Sequence, residues 1–296
     1  MTGPERGFLL LTSHLGDPNR PVLTTAQMRT LADRSWQLEL AEERELEVRD
    51  VMALGYGEEY AQRIVSLLSQ EDQLDYYLRK AAQQGCVPLT RISRGYPMMV
   101  RRRLGLDSPG VLWAKGEISV LEKPKIALVG SRELLPENRA FAREAGRQAA
   151  EQGYVLVSGN ARGADKTAQD ACLEAGGQVI SVVADDLRRH EARENILFLS
   201  EESYDQEFSS QRALSRNRVI HSLGEKTLVA QCTLEAGGTW DGTVKNLKAL
   251  WSPVYAFWDG SRAAQQLVQM GAQPVKTEEL TGMSQWIQNN ISIFDQ

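Results

Sequence analysis

Between Lys125 and Asp165 the chain carries two short apolar runs separated by a helical pattern. Ile126 to Val129 is the first run, and it stops at Gly130-Ser131-Arg132. Tyr154 to Val157 is the second, stopping at Ser158-Gly159. Between them Phe141, Ala145 and Ala149 fall four apart and so share one face of a helix. Two buried strands joined by such a helix lie parallel, through a right-handed crossover. Both small-residue turns then open at the carboxyl edge of one sheet, where doubly wound folds bind ligands. That edge reads as a phosphate-binding face.

Past Asp165 the alternation continues. Ala168, Ala171, Cys172 and Ala175 form a small-residue helix face, closed by Gly176-Gly177. Strands are expected at Gln178 to Val183, Ile196 to Leu199, Thr227 to Gln231 and Val254 to Trp258. Helices are expected over Leu214 to Leu223, from Ala236-Gly237-Gly238-Thr239 through Trp251, and over residues 261–271. The fold class is therefore α/β, an extended Rossmann-type, doubly wound, mostly parallel sheet occupying residues 124–296.

Ahead of it, residues 1–85 read as a small helical domain. Thr24 with Gln27 resembles a capping box, and Gly85 ends the last helix. Such helices form either a nucleic-acid-binding hairpin module or a packing domain. The Glu42-Glu43-Arg44-Glu45 run would repel phosphate and favours packing. Residues 86–123 read as a connector with strand-like pieces, punctuated by Gly95-Tyr96-Pro97 and Asp107-Ser108-Pro109-Gly110. Its run Arg101-Arg102-Arg103 either faces phosphate or is a solvated helix end.

A net charge of −5 provides no global attraction to nucleic acid, so any polyanion site must be a local concentration of Arg. Cys86, Cys172 and Cys232 are odd in number and far apart, which fits a reducing compartment. No apolar run reaches the roughly 18 residues of a membrane span. A cytoplasmic protein with no membrane contact is expected.

Gly130, Gly159, Gly163, Gly237 and Gly238 each follow a strand or precede a helix, where a backbone can approach a ligand closely. Ser131, Ser158 and Thr239 add hydroxyls, and Arg132, Arg162, Arg216 and Arg218 add forks matched to phosphate oxygens. Asp165 either orients an Arg, binds a ribose hydroxyl or caps the helix that follows it. Asp185-Asp186 reads as an exposed charged loop rather than a metal site. A P-loop, a GxGxxG fingerprint, a CxxC pair and an HExxH motif are all missing. No catalytic residue, metal ligand or cofactor is assigned.

Together these residues resemble the DNA-processing protein A (DprA), or Smf, family. The matching pieces are IALVGSR at 126–132, SGNARGAD at 158–165 and SRNRVI at 215–220, with GYP and DSPGVLWAKG upstream. GSRAAQQLVQMGAQPV at 260–275 resembles the family's closing segment, and the N-terminal helices its sterile-alpha-motif-like or helix-hairpin-helix region. The resemblance implies a homodimer that binds single-stranded DNA and hands it to the RecA recombinase, in DNA uptake, transformation or recombination. By position, it implies a first phosphate turn of Gly130, Ser131 and Arg132 and a second of Ser158, Gly159, Arg162 and Gly163. Arg216, Asn217 and Arg218 would line the pocket, and Gly237, Gly238 and Thr239 stand at the family's Ser-Gly-Ser turn.

The chain departs from the family pattern at several turns. Gln169 stands in place of a His, and Asn160 and Ala164 in place of aliphatic residues. Ala184-Asp185-Asp186-Leu187, Trp240-Asp241-Gly242 and Trp258-Asp259-Gly260 replace other family turns. An alternative therefore stays open: a small-nucleotide sensor or phosphoribohydrolase-like enzyme using the same Gly and Arg pocket. Glu235 would be its acid or base, or else a strand-end or capping residue.

Overall fold

The computed structural model describes residues 1–36 and 45–286; Glu42, Glu43 and Arg44 of the acidic run lie outside the described residues. The predicted βαβ unit is β3 (Lys125–Val129), α7 (Pro136–Glu151) and β4 (Val155–Ser158), with Ile126 opposite Leu156 in parallel register. Helix α7 buries Phe141, Ala145 and Ala149 as their spacing requires. It also buries Gly146, where a Cβ would strike the carbonyl of Ala168 in α8 (Ala164–Glu174). That contact explains the small-residue face of α8: two helices on one face of the sheet pack nearly backbone to backbone.

The sheet continues through β5 (Val179–Val183) and β6 (Ile196–Glu201) on one side of β3. On the other side lie β7 (Lys226–Val229), β8 (Val254–Phe257) and β9 (Gln273–Val275), giving the order β1-β2-β6-β5-β4-β3-β7-β8-β9. Strand β9 was not expected; with three residues, one a proline, it carries too little pattern to read, and it lies at the sheet edge, where proline is tolerated. The remaining helices of this half are α9 (Ser210–Ser215), α10 (Asn217–Leu223), α11 (Gly237–Ala249) and α12 (Arg262–Gln269). The single helix expected over 214–223 is thus two, α9 and α10, meeting at Arg216.

The segment expected as a connector needs correction. Cys86–Thr90 is β1 and Val111–Lys115 is β2, and both extend the sheet antiparallel onto β6. Every residue of β2 is buried, Trp113 completely. Between them, Met98–Leu104 forms α6, whose Arg103 donates to the carbonyls of Ser222 and Gly224 and ties down the end of α10.

The N-terminal helices are α1 (Gly3–Thr12), α2 (Thr25–Ser35), α3 (Val48–Ala53), α4 (Glu58–Leu68) and α5 (Glu71–Gln83). Helix α1 went unread, although Thr2 and Glu5 form a reciprocal capping box ahead of the apolar run Phe8–Leu11. Helices α1 and α5 share the core of the sheet, where Tyr77 meets Trp113 edge-on. Helices α2 to α4 close a second, smaller core around Val51, Ala61, Ile64 and Leu67. No helix among the described residues is long and apolar enough to cross a membrane.

Candidate nucleic-acid interface

Sequence order runs from β3 to β6 in one direction across the sheet and resumes at β7 on the other side of β3. Helix α7 therefore packs in the core of one face, while α11 packs against the other. Diverging helices leave a crevice at the carboxyl ends of β3 and β7. The cleft there has a volume of about 690 Å³.

Three turns build it. In the first, the N–H of Ser131 donates to the Gln231 carbonyl at 2.9 Å, and Gln231 Oε1 accepts the Leu135 N–H at 2.9 Å. The second turn lies directly on the first. A Cβ on Gly130 would overlap that of Ala164, and one on Gly163, at φ 86°, would overlap the carbonyl of Ser131. Asp165 closes this second turn, its Oδ2 accepting the N–H groups of Gly159 at 3.1 Å and Ala161 at 3.2 Å. Burial raises the Asp165 pKa, opposed by the charge of Arg216 and those two N–H groups. Asp165 thus orients its loop and faces an arginine.

The third turn is the start of α11. Its N-cap, Ala236, offers no side-chain acceptor, so the first N–H groups of the helix remain available for an anion. Thr239 Oγ1 donates to the Gly130 carbonyl at 3.0 Å, and Asn217 Nδ2 to the Gly238 carbonyl at 3.0 Å. The hydroxyl of Thr239 and the amide of Asn217 therefore hold the rim in shape.

Two arginines decide what the cleft can take. Arg216 sits where α9 meets α10, and its guanidinium lies against Gly159, where any Cβ would overlap Nη1. Its Nε is buried, and the guanidinium donates no hydrogen bond to any described residue. Burial lowers its pKa, offset by the neighbouring Asp165 carboxylate. A half-buried cation without an acceptor is costly, which makes this position one that an anion would stabilise. Arg132 also lines the cleft and is exposed, with no ion pair among the described residues. Arg162 stands on the rim, 74% exposed and paired with Glu133 at 3.1 Å.

Gly130, Ser131, Arg132, Arg162, Asp165, Arg216, Asn217, Gly237, Gly238 and Thr239 all line this one cleft. Gly159 lines the adjoining groove beneath Arg216, and Gly163 shapes the turn from behind. Ser158 and Arg218 are corrections. Ser158 is fully buried and its Oγ accepts the Gln169 amide at 2.6 Å, so it supports β4 from the α8 side. Gln169, one of the departures from the family pattern, has this structural task. Ser158→Ala should leave affinity unchanged and cost about 1 kcal/mol of stability, read from urea unfolding. Arg218 turns away to the Asp107 carbonyl, Ser215 and Glu201.

Sequence reading missed two residues. Phe208 is 54% exposed and lines the cleft beside Arg132 and Arg216. An exposed aromatic in the polar stretch Gln206–Gln211 was a usable signal. Gln231 is the latch of the first turn, as above. The acidic pair also differs from expectation. Asp186 is buried and grips Arg188 at 2.6 Å, and Asp185 faces His190 at 2.9 Å. Among the described residues no group of three or more His, Cys, Asp or Glu could hold a metal ion.

Guanidinium groups, unpaired helix N–H groups and an exposed aromatic in one cleft suit a chain of phosphates with bases attached. Residues 88–284 match the family model of the DNA recombination-mediator protein A. The chain belongs to that family. It is 29% identical over 166 residues to the DNA processing protein DprA of Bacillus subtilis, covering 52% of this chain and 55% of that protein. To the DprA of Streptococcus pneumoniae it is 30% identical over 182 residues, 57% of this chain and 64% of that one. The chain thus spans less than two thirds of these relatives. The solved structure of the Streptococcus pneumoniae protein shares the fold, with a TM-score of 0.70 at 22% identity over 90% of this chain and 94% of that one. That of DNA processing protein A from Helicobacter pylori, described for its single-stranded DNA binding mode, gives a TM-score of 0.57 at 23% identity. It covers 68% of this chain and 95% of that one.

Proposed function

We propose that this family member binds single-stranded DNA across the switch-point cleft, stoichiometrically and without turnover. Arg216 carries the reading: a half-buried guanidinium with no acceptor among the described residues, packed on a glycine in a cleft that Arg132 and Arg162 also line. Phosphates take Arg216, Arg132 and the first N–H groups of α11, and a base stacks on Phe208. The names of its relatives support the same ligand. In this reading the protein protects the strand and assists RecA loading as a homodimer, in recombination or DNA uptake, as the family resemblance implies.

The volume of the cleft also admits a mononucleotide. Glu235, the acid or base a nucleotide hydrolase would need, is exposed and absent from the cleft lining. Competition against a labelled oligo-dT separates the two ligands. Displacement by unlabelled single strand, with duplex and mononucleotides far weaker, is the expected result. Displacement by a mononucleotide alone would overturn the proposal.

A further inference from the structure

The arginine cleft does not end at the second turn. A smaller groove of about 230 Å³, walled by Arg132, Arg162 and Arg216, leads from it past Asn160. Asn160 also lines a side groove of about 400 Å³ between α8, the segment around His190 and the start of β6. Lys166, Arg189, His190 and Arg193 stand around that groove, over a floor where His190 stacks on Phe198 at 4.7 Å.

Its cations are weakly committed. Lys166 meets Asp170 at 2.7 Å and Arg189 meets Glu207 at 3.5 Å, both as half- to fully exposed pairs that water screens. Arg193 is exposed and makes no ion pair among the described residues. The acidic groups nearby are Glu191 on the lip and Asp185, which His190 engages. Asn160 lines both grooves and has φ 58°, a left-handed backbone that Asn tolerates.

We infer that the side groove is a second subsite for the same strand, holding the sugar–phosphate backbone of nucleotides beyond those in the cleft. The inference rests on the proposed binding of single-stranded DNA, and continuity through Asn160 together with charge supports it. Backbone contacts of this kind are sequence-neutral. The subsite therefore lengthens the footprint without selecting bases.

Anisotropy titrations with oligo-dT of about 4 and about 16 nucleotides test it. Both exposed arginines are replaced in Arg189→Ala/Arg193→Ala, and Arg193→Glu provides an independent variant. Each should lose roughly tenfold affinity for the long strand and keep wild-type affinity for the short one. Wild-type affinity for both lengths, or an equal loss on both, would overturn the subsite while leaving the cleft intact. A wild-type chain that binds neither length would overturn the cleft reading and the subsite with it.

Discussion

Replacing Arg216 with alanine should lower the affinity for single-stranded DNA by about 100-fold, near 2–3 kcal/mol, in a chain that still folds. The magnitude follows from where the guanidinium lies. It is half-buried, and among the described residues its Nε has no partner and nothing accepts from the guanidinium. A ligand phosphate would be its first acceptor, and charge-assisted bonds at desolvated positions are among the strongest a protein makes. Folding should tolerate the change because Asp165 keeps its two backbone N–H donors. Loss of Arg216 also removes a charge that lowers the Asp165 pKa, so that pKa should rise further. Arg216→Lys would place a single ammonium where a planar fork lies over Gly159, and should recover only part of the affinity. Isothermal titration with oligo-dT, alongside circular dichroism, separates lost binding from lost fold. Unchanged affinity in Arg216→Ala would remove this residue from the interface.

Arg218→Ala should do the opposite: destabilise the fold by about 3 kcal/mol and leave the affinity of the folded fraction near wild type. Glu201 is buried, 7% exposed in its side chain, and Arg218 Nη2 reaches it at 3.0 Å. Ser215 adds a second donor at 3.0 Å, while Glu201 Oε1 has no partner among the described residues. Burial raises the Glu201 pKa, and the Arg218 charge is the largest influence holding it down. Without Arg218 the native pKa rises further above the unfolded value. A raised native pKa means that stability is fully present below the unfolded pKa, about 4.3, and is lost as pH rises through the native one. The deficit of the variant against wild type should therefore be small in acid and grow toward neutral pH. Adding Glu201→Gln should restore much of the loss at neutral pH, since it removes the uncompensated charge. A deficit independent of pH, and not relieved by Glu201→Gln, would show that the ion pair is not its cause.

These contrasting arginines mark where the sequence stops being legible. The βαβ frame could be read because Phe141, Ala145 and Ala149 report the helical period and Ile126 to Val129 a buried strand. Its turns could be read because a glycine or small residue ends each strand. Arg216 and Arg218 look equivalent in Ser-Arg-Asn-Arg, yet two residues on a helix point about 200° apart. One guanidinium consequently meets the cleft and the other a carboxylate inside the protein. Whether a hydroxyl faces ligand or core is likewise set by packing: Ser158 was read as a phosphate donor, but Gln169 takes it. The strand-like pieces of residues 86–123 were read as a connector, because the pairing of β1 to β2 and of β2 to β6 is a long-range fact that no local pattern carries.

The most direct test of the central claim is the salt dependence of oligo-dT binding in the wild type and in Arg132→Ala/Arg216→Ala. Each phosphate contact releases counterions and contributes about 0.7 to the slope of log affinity against log salt for a single strand. Two arginines on two phosphates predict a slope shallower by about 1.4 in the double variant, with weaker binding at every salt concentration. An unchanged slope with unchanged affinity would contradict the account and place any nucleic-acid site elsewhere on the molecule.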